Sequence, residues 1–239
     1  VPFIQEETMP TGTGTRAAGG VAVTAGDVVA GARVALGDGA AATFSDDELL
    51  GYLNEALKEY SVHLPRTGEA LIACVPGQRR YALPDDTTGV WRVTAVVDGA
   101  PVRALIYIKE SRALFARRAY AYDFQPGEDA SAPPLLVTSF DPTDRMQLDV
   151  LLRRPHAAVT GPNDYLTVPP AHHHVLVAYM LFAAARRLQS AEQSTPTSSS
   201  SLLMSQLAAN TRRLELAYLQ ALNRILTHRL GEGEMVVWG

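Results

Sequence analysis

The chain is short of most features that announce a chemistry. Cys74 is its one cysteine among 239 residues, which excludes an internal disulfide and any multi-cysteine metal site. That economy suits an intracellular or virion protein better than a small secreted one. Positive charge is not in excess: 21 Lys and Arg stand against 25 Asp and Glu, for a net charge of −4 and a pI near 5.9. A surface built to grip nucleic acid normally needs a basic face, so overall charge argues against one. The longest apolar run, Val175 to Ala185, is too short for a bilayer, which takes about 20 residues. It reads as a buried helix, and no membrane partner is expected. The start of the chain lacks a charged-then-apolar leader pattern.

Catalytic motifs are missing as well. There is no G-x-S-x-G, and Ser198 to Ser201 lie in a low-complexity stretch with no nearby base. Thr11-Gly12-Thr13-Gly14-Thr15 lacks the Gly-Lys-Ser/Thr ending of a phosphate loop. Asp85 with Asp86, and Asp141 with Asp144, occupy turn positions where Asp serves backbone hydrogen bonding. Cys74 falls in a strand pattern and reads as buried filler. His172-His173-His174 is the most tempting cluster, but zinc ligands on a helix want i, i+4 or i, i+3 spacing, whereas consecutive residues point apart. It reads instead as a polar helix start, at a subunit contact able to respond to pH. The residues therefore point to no catalytic group, cofactor or metal. Arginines occur in pairs (Arg153 and Arg154, Arg186 and Arg187, Arg212 and Arg213) and in the set Arg112, Arg117 and Arg118. These suit solvated faces and intersubunit salt bridges better than base readout.

What remains, 47% hydrophobic content over this length, is enough for a substantial core in one domain or two lobes. The most informative stretch is Thr43 to Ala56. Ser45 and Glu48 form a capping box, three acids follow in the first turn where the helix dipole favours them, and Leu49, Leu53, Ala56, Leu57 and Tyr60 recur at helical spacing. Thr24 with Asp27 predicts an earlier helix, stopped by Gly37-Asp38-Gly39. From about Glu69 the period becomes two. Leu71 to Val75, Arg80 to Leu83 and Trp91 to Val97 read as strands, with a tight turn at Asp98-Gly99. Lys109 to Arg118 reads as helical and Ala121 to Pro134 as a loop. Leu136 to Phe140 and Met146 to Val150 read as a hairpin across Asp141-Pro142-Thr143-Asp144. Pro169-Pro170 opens a helix to about Leu188, and a last helix runs from about Leu202 to Leu230, ending at Gly231.

The predicted organisation is a flexible arm at 1–23, a helical hairpin at 24–66 and a β-rich insertion at 67–166. C-terminal helices follow at 167–230, with a Ser/Thr linker at 189–201 and a tail at 231–239. The fold class is α+β: a helical bundle formed by N-terminal and C-terminal helices, with an inserted antiparallel β region, a long C-terminal helix and an extended tail.

Ala32 to Asp38, Phe44 to Ala56, Tyr81-Ala82-Leu83-Pro84-Asp85-Asp86, Val93 to Val96 and the Val168-Pro169-Pro170 helix start together resemble the head-to-tail adaptor (connector) proteins of tailed bacteriophages. The resemblance covers about Gly26 to Gln189. It implies a structural virion protein without catalysis, assembled in the host cytoplasm and placed at the head–tail interface. It further implies a homo-oligomeric ring, usually a dodecamer, that sits under the portal protein and extends the DNA channel. The partners are the portal, a downstream tail or tail-completion protein, and double-stranded DNA that passes through without sequence-specific binding. In related adaptors the C-terminal segment often docks on the portal, which here points to Met235, Val236, Val237 and Trp238. The alternatives are another tail-completion or tail-tube-attachment ring, a carbohydrate-binding insertion on a helical base, and a metal-dependent hydrolase using His172 to His174.

Overall fold

A computed structural model of the chain describes residues 23–109, 115, 120–127, 132–194 and 200–231. Residues 1–22 of the expected arm, most of the expected Lys109–Arg118 helix, positions 195–199 of the expected linker and the tail at 232–239 lie outside the described residues. The described chain divides into two compact units, one at Leu64–Pro155 and one formed by residues 23–63 and 156–231.

Both N-terminal helices of the second unit start where their caps place them. In α1 (Ala25–Leu36) the Thr24 hydroxyl accepts the Asp27 N–H at 3.2 Å while the Asp27 carboxylate accepts the Thr24 N–H at 2.8 Å. Gly37 ends the helix at φ +70°, a conformation that costs glycine little because it has no Cβ. In α2 (Asp46–His63) Ser45 Oγ accepts the Glu48 N–H and Glu48 returns a carboxylate oxygen to the Ser45 N–H, both at 3.2 Å. The expected stripe of Leu49, Leu53, Ala56, Leu57 and Tyr60 is buried in full. Pro170–His172 forms a 3-10 turn that feeds α3 (His173–Ser194), and α4 covers Ser200–Gly231. Helices α1, α2 and α4 all pack on α3, which buries Val175, Leu176, Met180, Ala184 and Ala185. Each large apolar side chain so buried contributes about 1.5–3 kcal/mol.

Helix α3 continues six residues past Leu188, through positions expected to open the linker. Gln189, Ala191, Glu192 and Gln193 are sound helix formers, and Ser190 joins the helix by donating its hydroxyl to the Arg186 carbonyl at 3.0 Å.

The β unit holds two four-stranded sheets. One has the order β1 (Arg66–Ala73), β8 (Met146–Arg154), β3 (Gly89–Val97), β4 (Ala100–Ala104), paired antiparallel throughout. The other has the order β2 (Arg80–Ala82), β7 (Leu135–Thr138), β6 (Ala121–Gln125), β5 (Ile106–Tyr107). A single buried cluster joins them: Val93, Ala95, Leu148, Val150 and Leu152 from the first sheet meet Tyr81, Tyr122 and Leu136 from the second. The β3–β4 hairpin turns at Asp98 and Gly99, both at positive φ (50° and 78°), as the sequence predicts. The chain is thus mixed α+β, with four helices and two sheets among the described residues.

Three expectations for this region are corrected. Residues Ala121–Gln125, expected as loop, form strand β6 between β5 and β7, because Tyr122 and Phe124 suit a pleated surface despite the acids that follow. The β region is not wholly antiparallel, since β5 pairs β6 in parallel. The expected hairpin across Asp141 to Asp144 does not form, as β7 and β8 belong to different sheets. Strand β8 has partners on both sides, β1 and β3, which leaves no edge for β7. Asp141 instead takes a two-pronged bond from Arg79, at 2.6 and 2.9 Å.

Candidate functional site

The three histidines do not converge. His172 Nδ1 lies 2.5 Å from the Tyr60 hydroxyl, His173 Nε2 lies 3.0 Å from the Val168 carbonyl, and His174 Nδ1 lies 2.9 Å from the Ala171 carbonyl. Each ring is committed to a different group. Among the described residues no set of three His, Cys, Asp or Glu side chains is arranged to hold a metal ion.

The other candidates serve the fold. Cys74 is buried, and burial pushes its thiol up, only partly offset by its side-chain hydrogen bond with Tyr81, so the thiolate needed of a nucleophile is disfavoured. Asp86 meets Arg66 and Arg154, each at 3.2 Å. Asp141 sits below the usual carboxylate range because the Arg79 guanidinium donates to it. Among the arginine pairs, Arg153 stacks over the Trp91 ring at 4.8 Å, and Arg187 lies over the Phe44 ring and 2.9 Å from a Glu48 oxygen. Arg112, Arg117, Arg118 and the Met235–Trp238 tail lie outside the described residues.

Sequence reasoning missed the polar residues that organise the helical unit. The half-buried Asn54, midway along α2, accepts the Val159 N–H at 2.8 Å and donates to the Val159 carbonyl at 2.9 Å. It thereby clamps the 156–168 segment from 105 positions away. Close by, Tyr60 stands between two imidazoles, with His156 edge-on at 5.2 Å between ring centres and His172 at 6.1 Å. Ser61 Oγ accepts the His156 N–H at 2.8 Å, and His156 Nδ1 is 2.9 Å from the Thr167 hydroxyl. The same segment holds the start of α1. The Gly26 N–H donates to the Pro162 carbonyl at 2.8 Å, and a Cβ on Gly26 would come within 3.0 Å of that oxygen, so glycine permits the approach.

Asp38 is the second such residue. Its carboxylate accepts the N–H groups of Ala42, Thr43 and Phe44 at 2.9–3.0 Å and a bond from Arg33 at 3.1 Å. Burial raises its pKa, but those three backbone donors and the guanidinium together outweigh it and hold the carboxyl below its usual range. Arg33 also reaches the Phe44 carbonyl and Asp46. The Gly37-Asp38-Gly39 stop is therefore a folded corner that joins α1 to α2. An acid a few residues before a cap box was the signal available in the sequence.

Such networks set the shape of the helical unit. The surface offers contact area instead: on α4, Leu203, Leu216 and Leu219 are about half exposed, and Val62 projects from α2. A family model described as SU10 adaptor protein matches residues 23–232, spanning both units. The chain belongs to this family of phage head-to-tail adaptors. No curated protein matches the chain. The adaptor is accordingly a structural component of a phage virion. Phe44 to Ala56, one of the stretches that together carried the resemblance, contains Ser45, Glu48 and Asn54, so in the adaptor that segment opens α2 and clamps a distant loop. No helix among the described residues is long and apolar enough to cross a membrane.

Proposed function

We propose that the adaptor closes into a ring of about twelve copies beneath the portal, extends the DNA channel and joins the capsid to the tail. The observation that carries this reading is the adaptor-family match over residues 23–232. A half-exposed leucine face on α4, which packs on α3 and has its outer side open, supports a further copy as neighbour. The net charge of −4 suits a channel through which DNA slides, because Lys and Arg contacts to phosphate dominate DNA affinity. Assembly would take place in the host cytoplasm, with the portal above the ring and a tail or tail-completion protein below. The segment Met235 to Trp238, by its apolar composition, would dock on the portal by adding a strand or filling a groove.

Phage grown without this chain should accumulate heads that lack tails. Supplying the full chain in trans should restore tailed particles, whereas a chain lacking residues 234–239 should restore few of them although it folds. Tailed particles in the absence of the chain would contradict the adaptor reading. Full rescue by the truncated chain would contradict only the assignment of the tail to the portal.

A further inference from the structure

The helical unit carries two outward faces of opposite charge. On α2 the stripe opposite the buried leucines runs Asp47, Gly51, Glu55, Lys58 and Val62, all exposed, with half-buried Glu59 beside it. Asp47 and Glu55 stand there against Lys58 and neither is bonded to an arginine among the described residues, whereas Glu59 lies 3.6 Å from His63 on the same helix. On α4, Leu216, 51% exposed, lies on the side away from buried Tyr218, Leu222, Ile225 and Leu226, and Leu219, 48% exposed, lies on the flank beside Leu226. Exposed Arg212, Arg213 and Arg224 frame those leucines, with Glu215 at the margin. Arg212 and Arg224 form no ion pair with described residues, and Arg213 bonds only the neutral amide of Asn210. At 1.5 Å per residue, Asp47 to Val62 spans about 22 Å and Arg212 to Arg224 about 18 Å. Within one chain the two helices are both packed on α3, and Asp47 and Glu55 on α2 and Arg212, Arg213 and Arg224 on α4 remain exposed.

We propose that the α4 face of one copy docks on the α2 face of a second copy, Leu216 and Leu219 lying against the Gly51–Val62 stripe while Arg212, Arg213 and Arg224 meet Asp47 and Glu55. The surface around Gly51 is open, with no atom of its own chain within 4 Å of where a Cβ would stand. The contact is heterologous: each copy offers a basic face to one neighbour and an acidic face to the other. Such contacts close rings where the rotation permits. The apolar centre supplies affinity and the charges set which faces meet, because like charges brought together are costly. This inference rests on the ring reading above and identifies the faces that build the ring.

Two variants test it. Asp47→Arg/Glu55→Arg makes both faces basic, and Arg213→Glu/Arg224→Glu makes both acidic. All four positions are exposed, so each variant should keep the circular dichroism and melting temperature of the parent. By mass photometry, with portal present to seed assembly, each variant alone should need about tenfold or more higher concentration to assemble. An equimolar mixture should assemble like the parent, because each chain then offers its neighbour the opposite charge. Parent-like assembly of either variant alone would overturn the proposal, as would failure of the mixture when both chains are folded. Loss of double-stranded DNA binding with assembly unchanged would overturn it too, assigning the arginines to the channel. A parent chain that never oligomerises with portal would overturn the ring reading itself, a result distinct from the other three.

Discussion

Leu53→Ala should lower the unfolding free energy by about 2–5 kcal/mol, the range for removing a fully buried leucine and leaving a cavity. Leu53 is completely buried at the centre of the α2 stripe, between Leu49 and Leu57, which are equally buried. The four-residue spacing of these leucines places them on one helical face toward α3. For a chain of this length each kcal/mol moves the melting temperature by about 2–4 °C. Leu219→Ala removes the same atoms from a side chain 48% exposed, and in the unassembled subunit it should stay within about 0.5 kcal/mol of the parent. Thermal denaturation followed by helical circular dichroism measures both. Equal losses would contradict the assignment of one leucine to the core and the other to an outer face.

Asp38→Ala should be comparably damaging even though it removes no apolar contact. Without the carboxylate, three backbone N–H groups at the α1–α2 corner lose their acceptor, and Arg33, whose side chain is only 11% exposed, loses one of its two acidic partners. Asp38→Asn should fall between parent and alanine, because its amide keeps one acceptor oxygen but sets an N–H donor against backbone donors. The pH dependence has a definite sign. The folded carboxyl sits below the ordinary value of 3.8, so the unfolded chain binds the proton first as pH falls. The stabilisation is complete above that value and is lost as pH drops through the folded value. Asp27, Asp141 and Asp164 are shifted in the same direction, so the difference between parent and Asp38→Asn isolates this residue. That difference in melting temperature should be constant above pH 5 or so and shrink below about pH 4. A difference independent of pH throughout would contradict the role given to the charge.

Features that depend on a few neighbouring residues were legible. The Thr24–Asp27 and Ser45–Glu48 boxes each close over three residues, the Gly37 stop is local, and Asp98-Gly99 makes its turn without help from elsewhere. The leucine stripe of α2 was equally plain, because burial on one helical face leaves a period in the sequence. What was hidden depended on distant partners. Whether β7 turns back on β8 is decided by β1 and β3, which already occupy both sides of β8. Ala121–Gln125 resembled a loop because the acids and glycine that follow blurred a short strand pattern. Asn54 looked like one polar residue in a helix, and only the fold brings Val159 across 105 positions to meet it. For the same reason the opposed faces of α2 and α4 could be read only once both helices were placed on α3.

Electron microscopy of the purified chain mixed with the portal protein of its phage tests the central claim most directly. A closed ring of this chain capping one end of the portal, coaxial with its channel, is the expected image. A chain that remains single, or that binds the portal only as scattered copies around its side, would contradict the account.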